Sequence, residues 1–320
     1  METPRTIVTL LGSSVEDRHL ECVRDVLSCF GLRTERTFAL SGRLPAGAER
    51  PESSPTARGG CRALEIVASG PFSDIGALRA AVRAALDGAG VDSAVQRDDG
   101  WRRRRRLLCL DMDSTLIDSE VIDELARAAG AEREVAAITD AAMRGEIEFR
   151  GALRARLARI AGLPVAALEE IAGGLALAPG AGRLLAALDR HGYRIAVVSG
   201  GFAWFARRIA VRFGLRIDRV HAHELVVRDG RLTGEIAGDV IDGAAKAAYV
   251  RRIAAREGMV REQIVAAGDG ANDVEMLRAA GLGVAFRPRP VLRARADHVL
   301  ENFGLDGILY LLGMNDRDID

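Results

Sequence analysis

Three short apolar runs of this chain each end in a group of small or acidic residues. The runs, each with the residues that follow it, are 107–110 with Asp111 and Asp113, 193–198 with Ser199 and Gly200, and 264–267 with Asp269 and Asp273. Apolar runs of this length are typical of strands that are buried on both faces. Helical patterns alternate with the runs, which indicates a parallel sheet. Ligands bind at the carboxyl ends of such strands, so we expect the polar residues to meet in one crevice.

The acidic pair after the first run indicates metal-assisted chemistry. Two carboxylates as close as Asp111 and Asp113 repel each other, which favours a hard cation with oxygen ligands such as Mg²⁺. Asp111 can then attack a phosphorus atom. Asp113 can protonate the leaving alkoxide and afterwards deprotonate a water molecule. Taken alone, Asp-x-Asp-x-Thr is equally typical of a turn with a helix cap.

Residues further along the chain complete a site for phosphoryl transfer. The transferring oxygens need donors, which the Ser199 hydroxyl, the Gly200 main-chain N–H and the Lys246 ammonium provide. Taken singly, each of these residues is commonly found without a catalytic role, in a turn or as a solvated charge on a helix. Their occurrence together, in this order along the chain, is what favours catalysis. The predicted Mg²⁺ ligands are Asp111, Asp269 and the main-chain carbonyl of Asp113, with Asp273 behind them or joined through water.

The chain divides into two predicted domains, residues 1–100 and 101–320. The first has the element order β-α-β-β-α-β of a ferredoxin-like α+β domain, with residues 41–60 as a loop. In the second, consecutive helical patterns over about 120–178 are too long for a simple crossover, and we expect them to form a cap over the site. Residues 221–238 predict a small β-hairpin insert with a type I′ turn at Asp229 and Gly230.

Bulk composition gives no attraction to nucleic acid or membrane, because the 320 residues carry 45 basic and 45 acidic side chains. No apolar stretch is long enough to span a bilayer, so we expect a cytoplasmic protein. The arginine run 102–106 favours a solvated linker over a nucleic-acid patch, since no aromatic residues are interleaved. The cysteines Cys22, Cys29, Cys61 and Cys109 are scattered without a Cys-x-x-Cys pair. Two of them lie in apolar contexts, so we expect reduced, buried cysteines rather than disulfides or a zinc site.

The ordered motifs resemble those of the haloacid dehalogenase (HAD) superfamily. They are Asp111-Met112-Asp113-Ser114-Thr115, Ser199, Lys246 and the loop 268–273, and the match runs in register from about residue 107 to the end. The resemblance implies an α/β fold in which a HAD-like Rossmannoid parallel sheet carries a helical cap. It also implies phosphate hydrolysis through an aspartyl-phosphate intermediate with Mg²⁺ as cofactor.

Within the superfamily the chain is similar to the phosphoserine phosphatases. This similarity rests on Asp-x-Asp-Ser-Thr-Leu continuing to Glu120, on a Phe-x₃-Leu-x-x-Arg-like cap pattern and on Asp242-x₃-Lys246. It implies that Glu120 holds the ammonium of phospho-L-serine and Arg156 its carboxylate, which suits a zwitterion. The reaction implied is the last step of L-serine biosynthesis. Further substrate-binding residues implied by the similarity are Met143, Phe149 and Asn272.

The predicted first domain resembles an ACT regulatory domain. It keeps an Asp17-Arg18 pair after its first strand, and the resemblance implies amino-acid sensing or a homodimer contact. Three alternatives to the main hypothesis stay open here. The first is a related phosphatase, or a phosphotransferase to an acceptor such as homoserine. The others are an amino-acid sensor and a phospho-acceptor signalling module, although a signalling module would not need Asp113 as an acid.

Overall fold

The computed structural model describes residues 5–42, 62–71 and 74–320. They form two packed units, which we call the N-terminal unit (residues 5–97) and the C-terminal unit (residues 107–320). Most of the predicted loop 41–60 lies outside the described residues. Its first residue, Ser41, ends a strand.

The N-terminal unit is a four-stranded antiparallel sheet with two helices on one face. Its elements are β1 (Arg5–Gly12), α1 (Asp17–Cys29), β2 (Arg33–Ser41), β3 (Ala63–Ser69), α2 (Ile75–Ala85) and β4 (Val91–Arg97). The strand order β2-β3-β1-β4 agrees with the predicted ferredoxin-like arrangement. Helix α1 packs on the sheet through Leu20, Val23 and Leu27, which recur at helical spacing and are buried.

The C-terminal unit alternates strands and helices as the apolar runs predict. Its elements are β5 (Leu107–Leu110), α3 (Val121–Ala128), α4 (Glu132–Met143), α5 (Phe149–Arg159), α6 (Val165–Gly174), α7 (Ala181–Arg190), β6 (Arg194–Phe202), α8 (Ala203–Arg212), β7 (Arg219–Arg228), β8 (Arg231–Ala237), α9 (Gly243–Arg256), β9 (Ile264–Gly268), α10 (Val274–Arg278), β10 (Leu282–Phe286), α11 (Pro290–Arg293), β11 (His298–Leu300), α12 (Gly307–Leu311) and α13 (Asp316–Ile319).

One sheet with the order β11-β10-β9-β5-β6-β7-β8 forms the centre of this unit. The first six strands in that order run parallel and β8 runs antiparallel to β7. Strand β5 is central, and Leu110 lies beside Val197 of β6 and Ala267 of β9. All four residues of β5 are buried, as expected for a strand covered on both faces. The predicted α/β class with a parallel sheet is confirmed.

Helices α3–α6 form the predicted cap between β5 and β6. The chain enters and leaves the cap through a two-stranded neck, where Ile117 forms a bridge with Leu177. The hairpin predicted over 221–238 corresponds to β7 and β8, and β7 begins inside the parallel sheet before it turns into β8. At the turn Asp229 and Gly230 both have positive φ, 51° and 73°, as a type I′ turn requires.

The arginine run is not the solvated linker that its composition suggests. Arg102 and Arg105 are only 5 % and 6 % exposed. The Arg102 guanidinium forms an ion pair with Glu65 at 2.7 Å and donates to the carbonyl oxygens of Tyr310 (2.8 Å) and Leu311 (2.7 Å). The sequence hides this role because the carbonyls come from a helix about 200 residues further along. Arg102 therefore joins the two units.

Two more features join the units. The carboxylate of Asp92 on β4 accepts hydrogen bonds from the main-chain N–H groups of Glu301, Asn302 and Phe303. On the sheet face opposite α1 and α2, Leu11, Ala63 and Ala94 belong to the hydrophobic core of the C-terminal unit. The interface is therefore both polar and apolar.

The expectation of buried cysteines is wrong for two of the three that are described. Cys22 and Cys29 are exposed, Cys109 is buried, and all three are free thiols. Both exposed thiols lie on α1, away from the apolar stripe that faces the sheet. Cys61 lies outside the described residues. Within the described ranges no helix is long and apolar enough to cross a membrane, and the cytoplasmic location stays a prediction.

Candidate active site

The predicted polar residues meet at one edge of the parallel sheet. Asp111 follows β5 and Asp269 follows β9, while Ser199 lies where β6 departs from its regular pairing with β7. Since β6, β5 and β9 are parallel neighbours, their carboxyl ends lie side by side. The three motifs therefore form one site, as the sequence predicts.

A buried acidic cluster with one lysine lies at the base of the site. Oxygen atoms of Asp111, Asp269 and Asp273 all lie within 4.8 Å of one another. The ammonium of Lys246 donates to Asp111 Oδ2 and to Asp273 Oδ1, each at 2.7 Å, and is fully buried. The other oxygen of Asp273 accepts the N–H groups of Asp269 and Gly270. These bonds hold the β9 loop against β5.

The electrostatics of this cluster favour a further cation. Burial and then the charges of Asp111 and Asp273 raise the pKa of Asp269 to about 8. Burial would lower the pKa of Lys246, but the charges of Asp111 and Asp273 raise it above its usual value. One ammonium thus faces three carboxyl groups. Hard oxygen donors with excess negative charge suit a hard divalent cation.

Asp113 is held in a different environment from Asp111. Its Oδ1 accepts the N–H of Val121, the first residue of α3, at 3.0 Å. Burial, and then the charges of Glu120 and Asp111, raise the pKa of Asp113 well above its usual value. A raised pKa shifts a carboxyl group towards its protonated form, which can serve as a general acid.

The loop 199–201 presents a hydroxyl to the site. Ser199 is buried, and its Oγ accepts the N–H of Gly201 at 2.9 Å. The hydroxyl proton is therefore free to be donated to another group. Gly200 lies under the cap, since a Cβ built there would be 3.7 Å from Phe149 Cζ and 3.8 Å from Asn272 Nδ2.

A cavity of about 440 Å³ opens above these groups, between the cap and the sheet. Apolar side chains of the cap, such as Ile122 and Leu153, form much of its wall. Lys246 and Asp273 are buried outside the lining. The predicted residues that line the cavity are Asp111, Asp113, Glu120, Met143, Phe149, Arg156, Ser199, Gly200, Asp269 and Asn272.

Two charged cap residues lie in the same cavity. Nε of Arg156 is buried and has no hydrogen-bond partner among the described residues. Glu120 accepts from the Ser114 hydroxyl at 3.0 Å and from Arg289 at 2.9 Å. Met143 is 61 % exposed, so it lies at the mouth of the cavity. The cavity therefore contains a cation with unused donor capacity and a carboxylate.

The sequence reasoning missed Arg289. This side chain donates to Glu120 Oε1 at 2.9 Å and lies 3.6 Å from Asp269 Oδ2, and its Nη1 is 3.5 Å from the sulfur of Met143. It therefore connects the cap to the acidic edge of the sheet. A signal was available, because Arg289 follows β10, whose carboxyl end opens on the same crevice.

Comparisons with known proteins agree with this geometry. The family model described as haloacid dehalogenase-like hydrolase matches residues 108–278. The chain is 41 % identical to a phosphoserine phosphatase of Streptomyces coelicolor over 99 % of its own length and 72 % of that enzyme's length. The chain therefore belongs to the haloacid dehalogenase-like hydrolases. Within that family it is a phosphatase, and the relatives that it matches include several phosphoserine phosphatases.

Solved structures resemble both the whole chain and its C-terminal unit. A HAD family hydrolase of Salmonella enterica serovar Typhi superposes with a TM-score of 0.79 at 25 % identity, covering 96 % of this chain and 98 % of that one. A phosphoserine phosphatase described as a phospho-aspartyl intermediate analogue has a TM-score of 0.60 at 40 % identity, covering 64 % of this chain and 98 % of that one. The first match includes the fold of the N-terminal unit.

Proposed function

We propose that this phosphatase hydrolyses O-phospho-L-serine to L-serine and phosphate through an aspartyl-phosphate intermediate, as the last step of L-serine biosynthesis. The observation that carries the proposal is the pairing of Arg156, with its unused Nε, and Glu120 in the cavity that contains Asp111. A zwitterionic amino acid needs one cation for its carboxylate and one anion for its ammonium. The named relatives support the same substrate.

In the first half-reaction a carboxylate oxygen of Asp111 attacks phosphorus, and the bond from phosphorus to the serine oxygen breaks. Asp113 gives its proton to that oxygen, which leaves as the serine hydroxyl. The raised pKa of Asp113 supports this role, because it shifts the group towards the protonated form that the step requires. The Ser199 hydroxyl, the Gly200 N–H and the Lys246 ammonium stabilise the phosphoryl oxygens.

In the second half-reaction Asp113, now ionised, removes a proton from a water molecule. The water oxygen attacks phosphorus, the bond from phosphorus to Asp111 breaks, and inorganic phosphate is released with both aspartates restored. Mg²⁺ held by Asp111, Asp269 and the main-chain carbonyl of Asp113, with Asp273 behind, would shield the negative charges that meet at phosphorus.

Substrate selection is assigned to the cap. Arg156 binds the carboxylate of phosphoserine, and Glu120 binds its ammonium. The ammonium competes with Arg289, which donates to Oε1 of Glu120. Phe149, Met143 and Asn272 enclose the side chain; Phe149 and Asn272 both reach the Gly200 loop, which supports their role. Closing the cap excludes water from the reacting groups.

We also propose that the chain divides functionally near residue 100, with the first part as a regulatory or dimerisation domain. Strand β2 is an outer strand of its sheet, and an outer strand can pair with a second copy of the chain. Sedimentation of the chain at several concentrations would test this. A monomer at every concentration would contradict the dimer.

The function is tested by phosphate release, with and without Mg²⁺, from phospho-L-serine, phospho-L-threonine, phosphoethanolamine and p-nitrophenyl phosphate. We expect a strong preference for phospho-L-serine over phosphoethanolamine, which lacks the carboxylate. EDTA should abolish turnover and added Mg²⁺ should restore it. Asp111→Asn should remove both turnover and the acid-stable protein-bound phosphate. Equal rates on all four compounds would overturn the proposed substrate.

A further inference from the structure

The pairing of β6 with β7 is interrupted at the phosphate loop. Val198 pairs with His221, and the next pair is Phe202 with His223. Three residues of β6, 199–201, therefore lie opposite the single residue Ala222, and the extra residues bulge out of the sheet. In such a bulge some main-chain N–H and C=O groups lose their hydrogen bonds to the neighbouring strand. Where these groups are buried, they need other hydrogen-bond partners.

His223 provides such a partner. Its side chain is buried, Nδ1 lies 2.9 Å from the carbonyl oxygen of Gly200, and Nε2 lies 2.8 Å from the N–H of Ile241. A main-chain N–H can only donate, so Nε2 must accept and carries no proton. The proton of the neutral ring is then on Nδ1, where it is donated to Gly200. Burial lowers the pKa of His223, which agrees with a neutral ring.

The carbonyl of Gly200 belongs to the same rigid peptide group as the N–H of Gly201. That N–H donates to Ser199 Oγ at 2.9 Å. On the other side the same glycine lies against Asp113, because a Cβ built on Gly201 would overlap Asp113 Oδ2. One peptide plane therefore contacts both the phosphoryl-binding hydroxyl and the proposed general acid.

The second bond of His223 reaches another part of the site. Ile241 precedes Asp242, which caps α9 by accepting the N–H of Ala245 at 3.0 Å. Helix α9 carries Lys246, whose ammonium binds Asp111. The imidazole thus connects the loop of Ser199 to the start of the lysine helix.

We infer that His223 is a positioning residue of the phosphoryl site: its neutral, Nδ1-protonated ring fixes the Gly200–Gly201 peptide, and through it the Ser199 hydroxyl, relative to the start of α9. The inference rests on the proposed phosphatase mechanism. It adds a residue that does not line the cavity and that no motif of the sequence includes.

Two substitutions separate the two bonds. In His223→Asn the amide nitrogen can take the place of Nδ1 and keep the bond to Gly200, whereas His223→Gln can replace Nε2 and keep only the bond to Ile241. We expect His223→Gln to lower kcat about ten- to a hundredfold, since small displacements of a reacting geometry have effects of this size. His223→Asn should retain more of kcat than His223→Gln, because it keeps the bond to Gly200 and loses only the bond to Ile241.

The loss should be the same with phospho-L-serine and p-nitrophenyl phosphate, because both use the phosphoryl site, and KM should change little. The matched control is His221→Gln, two residues earlier on β7. The His221 ring stacks on Tyr249 with 4.4 Å between the ring centroids, and its Nε2 has no hydrogen-bond partner among the described residues. The control variant should keep wild-type kcat. Thermal unfolding of each variant separates lost fold from lost activity.

A second measurement does not depend on activity. Nitrogen NMR of histidine-labelled wild-type protein should show a ring with Nδ1 protonated and Nε2 unprotonated that is absent from His223→Asn. A proton on Nε2, or wild-type kcat in a folded His223→Gln, would overturn the inference. A wild-type protein that does not hydrolyse phospho-L-serine would overturn the proposed substrate instead, and the NMR result would still stand.

Discussion

At the scale of single residues, the site depends on a glycine at position 201, where a side chain would not fit. A Cβ at position 201 would overlap Asp113 Oδ2 and would lie 2.8 Å from Met112 Cε. Position 201 therefore admits only glycine if Asp113 is to keep its place. At Gly200 the nearest atom to a built Cβ is 3.6 Å away, which is ordinary contact.

We accordingly predict that Gly201→Ala lowers kcat for phospho-L-serine by about a hundredfold, because Asp113 must move. Gly200→Ala should lose clearly less. Steady-state kinetics with circular dichroism of both variants would check this. If the two variants were equally active, steric contact with Asp113 would not be the reason for glycine at position 201.

Arg156 permits a prediction about selectivity. Its unused Nε leads us to expect that Arg156→Ala lowers kcat/KM for phospho-L-serine by about 10- to 100-fold, the value of a charged hydrogen bond. Hydrolysis of p-nitrophenyl phosphate should change little, because that compound has no carboxylate. An equal loss of kcat/KM on both substrates would mean that Arg156 does not recognise the substrate carboxylate.

From the sequence, residues could be placed together at one edge of the sheet where chemistry and position coincide, and their catalytic roles stay predictions. Asp111, Ser199 and Asp269 each follow an apolar run, so residue type and strand end together indicated the site. Arg289 and His223 could not be identified in this way. The role of His223 depends on a register shift between two strands, and that of Arg289 on a contact with Glu120, 169 residues earlier.

At the scale of elements, the N-cap residue of helix α9 makes two contacts with different effects. Asp242 accepts the N–H of Ala245 at 3.0 Å and also lies 3.3 Å from Arg150 of the cap helix α5. Burial of Lys246 in the acidic cluster requires that α9 begin at this point. The N-cap therefore fixes the register of the lysine.

We predict that Asp242→Ala lowers the free energy of unfolding by about 1 kcal/mol, the usual effect of removing an N-cap. Asp242→Asn should retain most of the stability, because asparagine also caps helices. Urea unfolding followed by circular dichroism would measure both. An equal loss in the two variants would mean that charge, rather than capping, is what Asp242 contributes.

The elements themselves were largely predictable, because long segments with a clear period indicate their type. Short elements were not. Strand β11 has three residues and exists through its pairing with β10. The first residues of β7, Arg219 and Val220, lie before the predicted hairpin and belong to the strand through their pairing with β6. These elements follow from tertiary contacts, which a local window of sequence does not contain.

At the scale of the whole molecule, the two units are joined by buried charge. Arg102 and Glu65 form an ion pair with both side chains nearly buried.

We predict that Arg102→Met lowers the free energy of unfolding by about 3 kcal/mol, since it leaves Glu65 without its partner. Arg103, the exposed neighbour, is the control, and Arg103→Met should change stability by less than about 0.5 kcal/mol. Denaturant unfolding would distinguish them; similar small effects would refute the joining role of Arg102.

The same junction should make stability depend on pH. Burial, and then the charges of Arg79 and Arg105, lower the pKa of His298 on β11 well below its usual value. The unfolded chain takes up this proton near pH 6.5, whereas the folded chain does not. Stability contributed by the neutral ring is therefore fully present above pH 6.5 and falls as the pH drops, by about 1.4 kcal/mol per pH unit. His298→Gln should lose less stability between pH 6 and pH 5. Parallel curves for the two proteins would exclude His298 as the source.

The shared core has a consequence for any attempt to separate the two units. Leu11, Ala63 and Ala94 are packed among the same side chains as the central strand of the catalytic sheet. A deletion of residues 1–100 would uncover that apolar face, although a phosphoserine phosphatase matching only 64 % of this chain exists on its own. Separating the two units would therefore require compensating substitutions on the apolar face that each unit now covers.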